Sequence, residues 1–368
     1  MPGLVEVPTG SRVIEAMQKR KPSTLPHPAP PAETSERIVL AHGGGGELTD
    51  QLIRTQILPR LGNDVLNRLM DSATLPWDHA RLAFTTDSYV VQPLFFPGGD
   101  IGRLAVCGTV NDLAMAGAVP VAISLAMVLE EGLAGSILQQ VLDSIALAAR
   151  EADVQIVAGD TKVVEHGKAE GMYLTTTGLG RLIDGVSLEY RHVAPGDVLL
   201  LSGTIAEHGL AVLSQRKGLS FASQLRSDVA PLAGLANDLV RRIEGIRLLR
   251  DPTRGGLAGV LADLAAATGY SLEIDEQAVP ITPTARAAAD LLGLDPLSVA
   301  NEGKFLAVVG PEQADCALAL CREHPLGRNA ALIGRVVDRP PPLAELLTAI
   351  GGRRVIQKPY GEELPRIC

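Results

Sequence analysis

The stretch Val119-Pro120-Val121-Ala122-Ile123-Ser124-Leu125-Ala126-Met127-Val128-Leu129 decides how the chain folds. Only Ser124 in it is polar. The run is far short of the ~20 residues a membrane span needs and suits a strand buried inside a sheet. That reading spreads in both directions. Beyond it, Ile137, Val141, Leu142, Ile145 and Ala149 recur at helical spacing, with Ser136 and Gln139 placed as a capping box. A strand over 154–158 leads into Gly159-Asp160-Thr161-Lys162, and a threonine-rich strand covers 172–179. Before it, 82–91 reads as a strand with Asp87 in its middle. From Ile101 a helical pattern carries Cys107 and then Asn111-Asp112-Leu113-Ala114-Met115. This alternation predicts an α/β domain over residues 37–190.

Pro195-Gly196-Asp197 reads as the turn opening a second α/β domain, 191–340, whose first strand is 198–201. Asp251-Pro252-Thr253-Arg254-Gly255-Gly256 opens a helix running to about 267, and strands follow at 271–274, 305–309 and 332–337, the last of the series. Residues 1–36 are polar and proline-rich and read as a flexible extension or partner-contact arm. Residues 341–368 read as a loose, mobile tail ending in Pro365-Arg366-Ile367-Cys368. A terminal thiol has reach: residues 359–368, if extended, span about 33 Å at ~3.3 Å each. That is enough to carry a sulfur from a partner's active site into its own.

The bulk composition narrows the partners. A net charge of −9 makes a nucleic-acid backbone an unlikely ligand, and 3% aromatic residues leave little to stack bases on. Four cysteines (Cys107, Cys316, Cys321 and Cys368) form no CxxC pair, so neither a zinc site nor a disulfide framework is indicated, and a reducing compartment fits. Neither a membrane span nor a secretory signal is visible, and the expected location is the cytoplasm.

The chemistry centres on carboxylates. Asp87 within or after a strand, Asp112 on a helix, Asp160 after a strand and Asp251 before a helix are each flanked by small or hydroxyl residues. Each alone could be a cap or a turn residue. Together they suit a divalent cation shared with phosphate oxygens, which relieves the cost of holding carboxylates out of water. His42-Gly43-Gly44-Gly45-Gly46, set before a helical pattern, could wrap phosphate with backbone amides or act as a hinge. Lys162 is either a ligand-facing lysine or a solvated one. Glu302, in Asn301-Glu302-Gly303 before an apolar strand, is either a turn carboxylate or an inward-facing base.

These motifs, in this order and over residues 37–368, resemble the HypE family of hydrogenase expression/formation proteins, within the aminoimidazole ribonucleotide synthetase-like (PurM-like) superfamily. The matching stretches are His42–Gly46, Thr86-Asp87-Ser88-Tyr89, Asn111-Asp112-Leu113-Ala114, Gly159-Asp160-Thr161-Lys162, Asp251–Gly256, Asn301-Glu302-Gly303 and Pro365-Arg366-Ile367-Cys368. In the family the glycine loop usually carries a serine, and here all four positions are glycine. The resemblance implies a two-domain α/β fold of PurM type, with an N-terminal sheet that dimerises into a β-barrel and a mobile C-terminal tail. It implies ATP-dependent dehydration of a carbamoyl group on Cys368 to a thiocyanate, the source of a cyanide ligand for NiFe-hydrogenase iron. The carbamoyl donor would be the transferase HypF, and the iron scaffold the HypC–HypD complex. ATP and Mg²⁺ would bind through His42, Gly43, Gly44, Gly45, Gly46, Asn111 and the four aspartates, with the metal on Asp87, Asp112, Asp160 and Asp251. Glu302 would be the base, and Lys162 would hold the carbamoyl or phosphoryl oxygen. The competing expectation is a relative of the same superfamily acting on a free amide, amidine or selenide.

Overall fold

The computed structural model describes residues 46–77, 80–219, 225–361 and 366–368. Contacts divide the chain into Met1–Ile38 and Val39–Cys368. The first unit, with the extension expected over 1–36, lies outside the described residues, as do His42, Gly43, Gly44 and Gly45. No helix among the described residues is long and apolar enough to cross a membrane.

In chain order the first half supplies α1 (Glu47–Leu52), α2 (Leu58–Leu61), β1 (Ala73–Trp77), β2 (Ala80–Tyr89), the two-residue strands β3 (Phe95–Phe96) and β4 (Gly99–Asp100), α3 (Ile101–Met115), β5 (Ala118–Glu130), α4 (Gly135–Glu151), β6 (Gln155–Val164) and β7 (Met172–Leu182). The five long strands form one sheet in the order β1-β2-β7-β5-β6, and only the β5–β6 pair is parallel. The decisive apolar run is β5. Its Ile123, Leu125 and Leu129 are buried, but Val121 is 52% exposed, so the strand is buried on one face rather than on both as the sequence suggested. The capping box also fails: α4 begins after Ala134 with no side-chain cap, and Ser136 lies inside the helix.

Helix α3 packs across the buried face of the sheet. Every residue in it except Arg103 and Asp112 is buried, as expected of a helix apolar on all sides. Asp100 caps its start, accepting from the amides of Gly102 (2.7 Å) and Arg103 (3.1 Å). Gly108 is fixed by a close approach, because a Cβ there would sit 2.3 Å from the Tyr89 hydroxyl.

The second half supplies β8 (Val198–Leu201), α5 (Glu207–Arg216), α6 (Ala233–Arg242), β9 (Ile246–Arg250), α7 (Gly256–Thr268), β10 (Ser271–Asp275), α8 (Pro283–Leu292), β11 (Leu306–Val309), α9 (Ala314–Glu323), β12 (Ala331–Val337), β13 (Ala344–Leu347) and β14 (Arg353–Val355). Its seven strands run in the order β14-β13-β10-β12-β8-β11-β9. Here the expected tail needs correction. Residues 341–356 are not loose, because β13 pairs in parallel with β10, and β14 pairs with β13. Their polar look has a physical cause: Arg353 bonds both Glu273 (2.9 Å) and Glu345 (3.0 Å), and Arg335 joins Glu273 (3.0 Å), so charges ladder across one face while Ala344 and Leu346 are buried on the other. The next segment is also held. Lys358 pairs with Asp50 (2.7 Å) and Asp263 (3.0 Å), and the carbonyls of Pro359 and Tyr360 accept from the amides of Glu47 and Leu48.

Candidate functional site

Three carboxylates converge where the sheet bearing α3 meets the start of α7. Asp71 precedes β1, Asp112 sits in the last turn of α3, and Asp251 follows β9. One oxygen from each lies within 4.8 Å of the others. Neighbours fix them individually. Thr85, on the buried face of β2, donates to Asp112 Oδ2 (2.7 Å) and to the Asp71 carbonyl (3.0 Å). Arg250 reaches Asp71 Oδ2 at 2.8 Å. Asp87 borders the cluster and accepts from the Tyr89 hydroxyl (3.2 Å), the phenol for which Gly108 makes room.

Burial and mutual repulsion raise these acids. Burial pushes Asp251 from its ordinary 3.8 to about 8, with the charge of Asp71 adding to it. Burial, then Asp87 and Asp251, hold Asp112 well above the carboxylate range. Burial likewise raises Asp71 and Asp87, against the pull of Arg250 and Arg254 respectively. Carboxylates crowded this closely and partly out of water suit a hard divalent cation with oxygen ligands, which neutralises the repulsion.

Beside them lies the end of the chain. Glu302 is 3% exposed, and its Oε1 has no hydrogen-bond partner. Burial, then Asp251 and Asp228, raise it well above the ordinary range. The Cys368 thiol is set beside this carboxyl; burial above all keeps it protonated, and Glu302 adds to that rise. The positive charge of Arg254 acts on the same thiol in the opposite sense, pulling its proton affinity down. The turn carrying Glu302 is shaped by buried Asp228, which accepts from the amides of Glu302 (3.1 Å) and Gly303 (3.2 Å) and from Lys304 Nζ (3.1 Å). A Cβ on Gly303 would meet the Asp228 carbonyl oxygen at 1.9 Å, so the turn closes only on glycine.

Of the expected site residues, the structure brings together Asp87, Asp112, Asp251, Glu302 and Cys368. It does not bring in Asp160 or Lys162. Both lie exposed on edge strand β6, paired with each other at 2.8 Å, and Lys162 holds Asp160 below its ordinary value. Asp87 faces Thr176, Thr176 faces Leu125, and Leu125 faces Gly159. Asp160 is therefore three strands from Asp87, about 14 Å across the sheet. Asn111 is not available to a ligand either. It is buried, donates to the carbonyls of Ala230 and Glu302 (both 3.1 Å), and accepts from the Leu232 amide (2.7 Å). It is a latch between the two halves. Gly46, the one described glycine of its loop, packs against the tail: a Cβ there would sit 2.2 Å from the Pro359 carbonyl oxygen. Sequence reasoning missed Asp71, although Met70-Asp71-Ser72-Ala73 places it before a strand among small residues like the others. It also missed Asp228, which carried no local signal.

Residues 70–182 match the family model for the N-terminal domain of AIR synthase related proteins, and residues 194–342 match the model for the C-terminal domain. Carbamoyl dehydratase HypE of Rhizobium leguminosarum bv. viciae is 48% identical over 333 residues, 90% of this chain and 95% of that protein. A solved HypE–HypF complex superposes with a TM-score of 0.80 at 42% identity, covering 84% of this chain and 99% of that one. Hydrogenase maturation protein HypE in complex with ATP gives 0.76 at 44% identity, covering 89% and 98%. With that similarity running through both halves, the chain belongs to the HypE family of carbamoyl dehydratases.

Proposed function

We propose that this protein uses ATP to dehydrate a carbamoyl group carried on its own Cys368, leaving a thiocyanate whose cyano group is destined for the iron of a NiFe-hydrogenase. The observation that carries the reading is the Cys368 thiol set beside buried Glu302, with three aspartates converging next to them. An amide oxygen leaves poorly and a phosphate well. The carbamoyl oxygen attacks the γ-phosphorus and ADP departs, while one N–H proton passes to Glu302. The second N–H proton leaves with the phosphate as the C–O bond breaks and the nitrile forms. Glu302 suits the first step because its raised affinity for protons makes it a stronger base than a free carboxylate.

Asp71, Asp112 and Asp251, with Asp87 alongside, would hold Mg²⁺, which when bound spreads the charge of the triphosphate. A cavity of about 770 Å³ opens beside Asp71, lined by Leu66, Met70, Phe84, Met115 and Tyr190 among others. Its volume suits a nucleoside. Asp160 and Lys162 would enter the reaction from a second copy of the chain. The sheet face opposite α3 carries half-exposed Phe84 and Val121, and edge strand β6 exposes Val157 and Val163. Closing two such sheets into a barrel would cover these residues and bring β6 of one copy toward the other. We place the domain boundary near residue 190, the carbamoyl donor as a HypF-type transferase, the acceptor as a HypC–HypD scaffold, and the whole in the cytoplasm. A free small-molecule substrate would leave the docking of Cys368 without a purpose.

The test is the intact mass of the protein after carbamoylation and addition of ATP and Mg²⁺. One water should be lost from the C-terminal peptide. In Glu302→Gln the carbamoyl group should stay on, with the rate down by roughly 10²–10⁴. Thiocyanate formed by Glu302→Gln at the wild-type rate removes Glu302 from the reaction, and a Cys368→Ala protein that still turns over ATP at the rate of the carbamoylated form removes the tail.

A further inference from the structure

The contacts that bring Cys368 to Glu302 do not involve its sulfur. They fall on the two residues before it and come mainly from one helix. Arg216, in the last turn of α5, donates from Nη2 to the Arg366 carbonyl (2.6 Å) and from Nε to the Gln92 carbonyl (2.8 Å), and the Gln92 amide donates to the same Arg366 carbonyl (3.1 Å). His208, in the first turn of α5, is fully buried, and its Nε2 lies 3.0 Å from the Ile367 carbonyl. Its tautomer is set by the tail itself: the Ile367 carbonyl can only accept, so Nε2 carries the N–H. In a ring that burial keeps neutral, Nδ1 then accepts from the Ser227 hydroxyl (2.8 Å), whose oxygen in turn accepts from the Val229 amide (3.1 Å). The Ile367 side chain is 2% exposed within the core shared with α3. Arg366 Nε meets Glu170 at 2.7 Å.

The helix that supplies these groups is tied to the reacting residues. Ala206 enters α5 at φ 73°, and its amide is held by Asn301 Oδ1 (2.7 Å), while Asn301 Nδ2 donates to the Pro252 carbonyl (3.0 Å). Asn301 thus joins the start of α5 to the residue after Asp251 and the residue before Glu302. The Gly209 amide adds a bond to the Ala300 carbonyl (3.1 Å).

We propose that α5 is the dock for the tail, and that His208 and Arg216 are positioning residues that grip the main chain of residues 366–367 so that whatever the sulfur carries is set down beside Glu302. Gripping carbonyls rather than the thiol lets a free, carbamoylated or cyanated Cys368 dock in one register. Undocking, which a transferase needs in order to reach the sulfur, costs these hydrogen bonds and the burial of Ile367. The proposal rests on Cys368 being the carrier, but the dock can be measured without turnover.

The test is iodoacetamide labelling of the full chain, read peptide by peptide, with exposed Cys316 as the internal reference. Cys368 should label more slowly than Cys316 in the unaltered protein. Arg216→Ala and His208→Ala should each speed Cys368 roughly tenfold, the population change expected for one lost charge-assisted or buried hydrogen bond, with Cys316 unchanged. His208→Gln, which keeps a donor at that position, should stay within about twofold of the unaltered protein. In turnover, Arg216→Ala should slow dehydration while leaving carbamoylation as fast or faster, a split that general loss of structure does not produce. Unchanged Cys368 labelling in Arg216→Ala and His208→Ala overturns the dock, as does Cys316 rising in step with Cys368 in both. Faster labelling in a protein that never forms thiocyanate keeps the dock and removes the catalytic reading.

Discussion

Asp87 and Asp160 are nearly interchangeable in the sequence and opposite in the structure. Each sits within a strand of the same sheet, one between Thr86 and Ser88, the other between Gly159 and Thr161. Asp87 lies on β2 under α3, where burial raises it and a tyrosine hydroxyl holds one oxygen. Asp160 lies on the uncovered edge strand β6, where Lys162 and the Thr161 amide lower it. Flanking residues do not separate the two. Strand order does, together with helix α3, which covers the middle of the sheet while the edge strand β6 stays exposed. An aspartate on a strand is a candidate ligand, and the layer packed over it decides whether its charge is costly enough to need a cation.

The sharpest way to break this contrast is to neutralise each side. Asp112→Asn should cut thiocyanate formation at least roughly 100-fold, the scale lost when a group stabilising the reacting charges is removed. Asp160→Asn should match it only if a second copy delivers that residue. In that case, mixing the two inactive chains should restore about a quarter of the wild-type rate, because half the dimers are mixed and each has one intact site. Full activity in Asp160→Asn alone would mean that the exposed pair on β6 is only a surface ion pair.

A smaller effect concerns pH. Asp251 is at about 8 when folded against 3.8 ordinarily. Above pH 4 the unfolded chain gives up this proton while the folded chain keeps it, so the contribution of Asp251 to the stability of the metal-free protein falls from about pH 4 to pH 8 and levels off above. A divalent cation must displace the same proton. Its affinity, measured by calorimetry, should rise by about tenfold or more per pH unit below pH 8, because Asp112 and Asp71 are raised as well. The exposed Asp160 predicts no such slope, and a pH-independent Mg²⁺ affinity between pH 6 and 8 would contradict the crowded cluster. The smallest effect is steric. Gly108→Ala should displace the Tyr89 hydroxyl from Asp87 and cost about 1 kcal/mol in chemical denaturation. The same change at exposed Gly135, which has nothing within 4 Å of a Cβ, should not destabilise its helix at all.

Much of the frame was legible. The apolar run at 119–129 gave a strand, and the spacing of Ile137, Val141 and Ile145 gave a helix, because periodicity reports which face of an element meets the core. Strands β13 and β14 were not legible. Their arginines and glutamates look like solvent-exposed tail until Glu273 on a distant strand is seen to pair with them. Asn111 was misread for a related reason: an asparagine beside an aspartate looks like a ligand, and only the carbonyls of Ala230 and Glu302 on the other half of the chain reveal that its amide is already spent.

The sequence by itself determined the alternation of strands and helices, the set of acids from which a site could be drawn, and the terminal cysteine that could visit it, since these depend on local periodicity and residue chemistry. Only the tertiary structure decided which acids meet, because burial and mutual repulsion depend on strand order and on the helix packed above. Only it placed Cys368 against Glu302, since the groups that hold the tail there, Gln92, Glu170, His208 and Arg216, are brought together by folding and not by any spacing along the chain.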